Sequence, residues 1–109
     1  MRVCLDVSHS KLACNYLHAP FREFLNSILP FTAHLHLADA KDVDGEGLQI
    51  LDGEIDWVQL FELIHLHCPS ASFIPEIWQG HKNSGEGAWL ALERLELSAR
   101  RSQSVSLAR

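Results

Sequence analysis

Cysteine is scarce in this 109-residue sequence, and the three that occur, Cys4, Cys14 and Cys68, show no Cys-x-x-Cys spacing. An odd number of unpatterned thiols predicts neither a disulfide framework nor a zinc knuckle. We therefore expect reduced cysteines that mostly pack in the interior.

Basic residues are also few: nine Lys and Arg stand against fourteen Asp and Glu, for a formal net charge of -5. Phosphate binding needs a surplus of positive charge, so this balance argues against a nucleic-acid partner.

Long apolar runs are absent as well. The longest are far shorter than the roughly 20 residues of a membrane-spanning helix. The first residues lack the basic-then-apolar layout of a signal peptide. These features predict a cytoplasmic protein with no membrane partner. The length and the 47% hydrophobic content suit one modest domain.

Three apolar segments of strand length alternate with three segments of helix length. The strands are predicted at 3–5, 32–37 and 72–77, and the helices at 20–30, 57–67 and 88–95. Two connections, 8–18 and 40–53, are predicted as loops, the first with a short helical turn. Residues 1–97 form the predicted domain, and the Ser- and Arg-rich tail 98–109 is expected to be frayed.

Strands that alternate with helices imply parallel pairing through right-handed crossovers. The strand-end residues Asp6, His36 and Glu76 are 30 and 40 positions apart, close to the roughly 30 residues per unit of an eight-fold barrel. The predicted fold class is therefore α/β, a partial TIM-type (β/α) barrel of three parallel βα units in the order β-α-β-α-β-α. Three strands leave both sheet edges open, which predicts a homo-oligomer or association with another chain through those edges.

Each predicted strand leads to a residue that can bind a metal, namely Asp6, His36 or Glu76. The carboxyl ends of parallel strands meet at one edge of a sheet, so we expect these side chains to converge. Two carboxylates and an imidazole suit Mn²⁺, Mg²⁺, Co²⁺ or Zn²⁺ rather than soft thiolate chemistry. Three ligands leave coordination positions open for a substrate. The alternative is structural: Asp6 caps a helix, and His36 is a hydrogen-bonded core residue.

Four further polar residues near the strand ends each have a functional and a structural interpretation. His9 either contacts a substrate hydroxyl or is a capping or surface histidine. His34 shares the strand face of His36 and either supports its ring or simply packs. Asp39 either orients His36 or caps the following loop. His81 either reaches a ligand's phosphate or hydroxyl or belongs to a solvated loop.

Four segments stand out together: Leu5-Asp6-Val7-Ser8-His9, His34-Leu35-His36-Leu37-Ala38-Asp39, the stretch from Gly45-Glu46-Gly47 to Asp56-Trp57, and Pro75-Glu76. In this order and spacing they resemble the last three βα units of the xylose isomerase-like TIM barrels, which include sugar and sugar-phosphate isomerases and epimerases and endonuclease IV-type enzymes. The likeness covers about residues 2–96. It is closest to a sugar phosphate isomerase/epimerase domain of bacterial proteins.

The resemblance implies that Asp6, His36 and Glu76 bind a divalent metal ion. It also implies that His9 contacts a sugar or sugar-phosphate substrate and that Glu76 doubles as the catalytic acid/base. The expected reaction is an isomerisation or epimerisation, with proton transfer through a metal-stabilised enediolate.

Two departures from the family bear on this expectation. The family's fourth ligand, a Glu from an earlier strand, has no counterpart here, so we expect the chain to be incomplete as a catalyst by itself. Leu51 stands where relatives usually have glycine. The alternative function is a non-catalytic truncated barrel domain that self-associates or binds a partner or small ligand. An endonuclease IV-like role in DNA repair is disfavoured by the acidic charge balance.

Overall fold

The computed structural model of the protein describes the backbone of residues 1–108 and the side chains of residues 1–104. Five strands and four α-helices occur in this part of the chain, with a 3-10 turn at Leu29–Phe31. In chain order they are β1 (Val3–Asp6), α1 (Val7–Leu17), α2 (Phe21–Ile28), β2 (Thr32–Leu37), β3 (Asp39–Lys41), β4 (Gly45–Leu48), α3 (Trp57–His67), β5 (Ser72–Pro75) and α4 (Lys82–Ala108). The predicted strand at 32–37 and helix at 57–67 are confirmed as β2 and α3.

The strands form two separate sheets. β1, β2 and β5 make a parallel sheet in the order β1-β2-β5, so β2 lies in its centre, and β3 pairs with β4 as an antiparallel hairpin. Within the parallel sheet Asp6 lies beside His36, and Leu37 lies beside Pro75. The carboxyl ends of the three strands are therefore level with one another.

The predicted fold class is wrong. Two helices connect β1 to β2, and the β3-β4 hairpin lies between β2 and α3, so strands and helices do not follow one another as three alternating βα units. The chain is a small α/β domain with a three-stranded parallel sheet and a two-stranded antiparallel sheet, rather than three units of a (β/α) barrel. Both differences fall on segments that the sequence predicts as loops.

The first of these segments, 8–18, is helix α1. The Asp6 side chain caps it by accepting a hydrogen bond from the His9 backbone N–H at 2.9 Å. Val7 is fully buried and Leu12 is nearly so, which ties the helix to the core. The helix ends at Leu17, and the next residue, His18, has a φ of 55°, the left-handed conformation of a common C-terminal cap. A strong cap and a few buried side chains form this helix, although the segment lacks a continuous apolar stripe.

The second segment, 40–53, contains most of the hairpin and is held in place by Asp39. Asp39 is fully buried, and its carboxylate accepts four hydrogen bonds. Oδ1 accepts from the backbone N–H groups of Ala40 and Ile55, and Oδ2 accepts from the backbone N–H of Leu51 and from Nε1 of Trp57, all at 2.9–3.0 Å. Buried charge is tolerated here because each oxygen has two donors. Asp39 therefore organises the chain between β2 and α3.

The parallel sheet has one covered face and one open face, because side chains along a strand alternate in direction. Leu5, Leu35 and Leu37 point to the covered face and are at most 5% exposed. His34 and His36 lie on the open face and are partly exposed. Helices and loops close the core over the covered face, with large contributions from Leu25, Leu29, Ile50, Trp57, Leu60 and Leu95.

Helix α4 differs from expectation in length. The tail predicted to fray from residue 98 continues the helix as far as Ala108, and Ser98 and Ser102 are buried; Arg109 lies outside the described residues. The helix begins with a left-handed turn at Asn83, Ser84 and Gly85. Within the part of the chain that the structure describes, no helix is both long and apolar enough to cross a membrane.

Candidate metal centre

The three predicted metal ligands meet at the carboxyl end of the parallel sheet. Asp6 ends β1, His36 is the penultimate residue of β2, and Glu76 follows β5. The backbone N–H of Glu76 donates to the carbonyl of Leu37 at 2.9 Å, which extends the pairing of β5 with β2 by one residue. One ligand atom from each of Asp6, His36 and Glu76 lies within 4.8 Å of the other two. The predicted convergence of these side chains is thus present.

The spacing of these atoms is close to what a small divalent ion requires. Ligand atoms bound at about 2.1 Å lie about 3.0 to 4.2 Å apart around an octahedral ion. His36 Nδ1 and Glu76 Oε2 are already 2.9 Å apart. The side chains of His36 and Glu76 are 29% and 52% exposed, so neither is enclosed by the core. Two carboxylates and one imidazole are donors that Mn²⁺, Mg²⁺, Co²⁺ and Zn²⁺ all accept.

His9 links Asp6 to a second acidic residue, Glu46. Nδ1 of His9 lies 3.0 Å from Asp6 Oδ2, and Nε2 contacts Glu46 Oε2. The hydrogen bond with Asp6 and then that with Glu46 raise the pKa of His9 above 6.5, and the smaller effect of burial opposes them. These contacts therefore stabilise the protonated form of His9 relative to the neutral form at the edge of the candidate metal centre.

Glu46 is the site residue that the sequence interpretation did not assign. It lies on β4, and the neighbouring Gly47 N–H donates to Ser8 Oγ at 3.0 Å. Ser8 Oγ in turn donates to the carbonyl of Asp39 at 3.0 Å, so the hairpin is fastened to the start of α1. The available signal is the position of Glu46 in Gly45-Glu46-Gly47, a segment that carries part of the family resemblance, but the sequence predicts this segment as a loop and the resemblance gives Glu46 no role.

These residues line one cleft, which we call the strand-end cleft. It has a volume of about 440 Å³, and its lining includes Asp6, His9, His36, Glu46, Glu76 and Trp78. Trp78 is 74% exposed, and its backbone N–H donates to the carbonyl of Gly47 at 2.9 Å. The tryptophan and the hairpin are thus joined at one side of the cleft. A volume of this size accommodates a small-molecule ligand.

The remaining predicted site residues have different positions. His34 lies next to His36, with ring centroids 5.2 Å apart in an edge-to-face arrangement, so it is placed to support that ring. The Asp39 carboxylate is directed at the loop before α3, where the four donors described above surround it. His81 is exposed and does not belong to the described lining of the strand-end cleft. The structure brings His9 and His34 next to the candidate metal centre and leaves Asp39 and His81 outside it.

Comparison of the chain with models of known protein families, with curated proteins and with solved structures found no match. The resemblance to sugar isomerases and epimerases therefore stays a prediction. What the site does has to be argued from its own geometry.

Proposed function

We propose that this protein holds a divalent metal ion in the strand-end cleft and moves a proton on a small sugar or sugar phosphate bound there, as an isomerase or epimerase. The observation that carries the proposal is the convergence of Asp6, His36 and Glu76 within 4.8 Å at one cleft. Mn²⁺, Mg²⁺, Co²⁺ and Zn²⁺ suit these donors. The resemblance of four segments to the xylose isomerase-like superfamily supports the same chemistry.

The residues of the cleft have the chemical character that this function requires. When bound, the ion supplies a Lewis acid that polarises the substrate carbonyl. Glu76 is half exposed, so its carboxylate can take up or return a proton at the adjacent carbon. His9 and Glu46 add an imidazole and a second carboxylate from the hairpin side of the cleft. Proton-transfer groups therefore come from two different parts of the chain.

The proposal is tested by proton exchange. Protein loaded with Mn²⁺ is incubated in D₂O with D-fructose, D-tagatose or D-fructose 6-phosphate, and exchange at the carbons beside the carbonyl is followed by NMR spectroscopy after the Mn²⁺ is removed. We expect exchange with at least one of these probes, and we expect it to be lost in Glu76→Gln. Exchange no faster than in the Glu76→Gln protein, for every probe, would contradict the proposal. His67→Ala, on the far helix α3, is the matched control.

A second candidate function, a non-catalytic role through self-association, rests on β5. This strand is at an edge of the parallel sheet, and its Phe73 and Ile74 are 42% and 44% exposed. An edge strand with exposed apolar side chains can pair with a strand of another chain. The candidate predicts a dimer in sedimentation velocity that dissociates in Ile74→Lys. A stable wild-type monomer at the same concentration would exclude this role.

A further inference from the structure

A second cavity, which we call the hairpin groove, lies between helix α1 and the β3-β4 hairpin. It has a volume of about 510 Å³ and shares His9 and Glu46 with the strand-end cleft. The contact between His9 and Glu46 therefore lies where the two cavities meet. The rest of the lining comes from α1 and the hairpin, namely Leu12, Ala13, Tyr16, Val43 and Asp44.

Two side chains of α1 fasten the hairpin at separate points, so the walls of the groove are fixed. Ser8 Oγ accepts a hydrogen bond from the Gly47 N–H at 3.0 Å, and Asn15 Nδ2 donates to the carbonyl of Asp42 at 2.7 Å. Ser8 and Asn15 are about 10 Å apart along the helix axis, because each residue of an α-helix rises by about 1.5 Å. A ligand that enters the groove therefore does not have to order either wall, which would otherwise reduce its affinity.

Part of the groove lining is apolar and remains open to solvent. Leu12, Ala13 and Tyr16 lie on one side of α1, because residues three and four positions apart are neighbours on a helix surface. Tyr16 is 72% exposed, and Val43 on the hairpin side is 56% exposed. Exposed apolar side chains in a groove with fixed walls offer contact area to the apolar part of a small ligand.

The charged side chains of the groove are mainly acidic. Asp44 is exposed, and within the described residues its side chain has no hydrogen-bond or ion-pair partner. The Glu46 side chain is 62% exposed and contacts His9 Nε2. The described lining includes no Lys or Arg, and Lys11 of α1 lies over the Phe21 ring instead. The groove therefore favours a cationic ligand over an anionic one.

We propose that the hairpin groove binds a small organic amine. Its ammonium group pairs with the carboxylates of Asp44 and Glu46, and its aromatic or branched aliphatic part packs on Tyr16 and Val43. The Tyr16 ring adds an aromatic surface, to which an ammonium ion is attracted. The described lining of the groove includes none of the three proposed metal ligands, so this inference does not rest on the proposed function.

Titration with 2-phenylethylamine, followed by ¹H–¹⁵N NMR spectroscopy, tests the site. At pH 7 this amine is a cation, as a lysine side chain is, whereas the matched probes 2-phenylethanol and phenylacetate are neutral and anionic. We expect saturable shifts of the Ala13 and Val43 backbone N–H signals, with the amine bound at least about fivefold more tightly than the alcohol. Phenylacetate bound as tightly as the amine, or shifts confined to His36 and Trp78 of the strand-end cleft, would overturn the inference.

Variants locate the ammonium and the apolar part separately. Asp44→Asn and Tyr16→Ala should each weaken binding of 2-phenylethylamine by at least about threefold. Glu93→Gln removes the same charge as Asp44→Asn from an exposed position on α4, outside the groove lining, and should leave the affinity unchanged. Unchanged affinity in Asp44→Asn and Tyr16→Ala, or an equal loss in Glu93→Gln, would contradict the assignment.

The same titration separates the groove from the metal centre. Glu76→Gln should bind 2-phenylethylamine as the wild-type protein does, because Glu76 is not part of the described groove lining. Loss of amine binding in Glu76→Gln would place the amine in the strand-end cleft and overturn the inference. If the wild-type protein binds the amine but no Mn²⁺, the proposed function fails while the hairpin groove stands.

Discussion

Asp39 and Glu76 lie close to the carboxyl ends of neighbouring strands, but their surroundings are opposite. Asp39 is fully buried, and four protein donors surround its two oxygens. The Glu76 side chain is 52% exposed, with His36 Nδ1 at 2.9 Å. A carboxylate whose oxygens are filled by protein donors stabilises the fold, whereas an exposed carboxylate can still bind an ion. The comparison separates the acids that hold this chain together from those that can act on a ligand.

The largest expected effect comes from Asp39→Asn. The asparagine side chain has an NH₂ group in place of one of the two carboxylate oxygens. This group faces two of the four N–H donors that now surround the carboxylate, so at least two buried donors lose their acceptor. We expect the free energy of unfolding to fall by about 3 kcal/mol, measured by urea denaturation. Glu76→Gln should change it by less than about 1 kcal/mol. Equal losses in the two proteins would contradict the distinction between them.

Leu51→Gly tests the backbone conformation of a residue whose N–H donates to the buried Asp39 carboxylate. Leu51 has a φ of 78°, in the left-handed region that favours glycine, and its side chain is about half exposed. Its N–H bond to Asp39 does not depend on the side chain. We expect the substitution to raise the free energy of unfolding by about 0.5–1 kcal/mol. The reason is that the backbone strain relieved in the folded state exceeds the conformational entropy that glycine adds to the unfolded chain. A lower melting temperature in Leu51→Gly would show that the conformation is not strained.

Asp6→Asn tests whether one residue serves both purposes. Asn caps a helix about as well as Asp, so the stability of the protein should change by less than about 0.5 kcal/mol. The loss of a charged ligand should weaken Mn²⁺ binding by at least about tenfold. Thermal unfolding and Mn²⁺ titration of the same sample check both statements. Unchanged Mn²⁺ affinity would leave Asp6 with its capping role alone.

The smallest expected effect concerns His9. Asp6 and Glu46 raise its pKa above 6.5, so protonated His9 stabilises the folded state. This stabilisation is complete below about pH 6.5 and is lost as the pH rises through the higher pKa of the folded protein. An NMR titration should show the raised pKa, and Glu46→Gln should lower it toward 6.5. A wild-type pKa at or below 6.5 would contradict the described contacts.

The sequence predicts the strands, and the convergence of Asp6, His36 and Glu76 at their ends, more successfully than the connections. The apolar runs that lead to Asp6, His36 and Glu76 are short and contiguous in the sequence, so their pattern is visible without the fold, although Phe73 and Ile74 of β5 are 42% and 44% exposed. Helix α3 begins after Asp56, whose side chain caps it by accepting from the backbone N–H of Gln59 at 3.0 Å. Elements of this kind depend on local sequence.

The connections depend on contacts between residues distant in the chain. Helix α1 needs its Asp6 cap and the burial of Val7, and the hairpin needs Ser8 Oγ to hold the Gly47 N–H. Neither segment has apolar residues at a regular helical or strand spacing, so the sequence predicts both as loops. The predicted fold class is wrong because it omits these two elements. Glu46 was missed for the same reason, because the hairpin delivers it to the cleft.

The most direct test of the account is a calorimetric titration of metal-stripped protein with Mn²⁺, run in parallel on Glu76→Gln and on the control His67→Ala. The exposed pair of His67 with Asn26 lies apart from the strand-end cleft. We predict saturable binding by the wild-type protein and by His67→Ala, with at least about tenfold weaker binding by Glu76→Gln. No saturable binding by the wild-type protein, or equal affinity in all three, would contradict the assignment of Asp6, His36 and Glu76 as a metal centre.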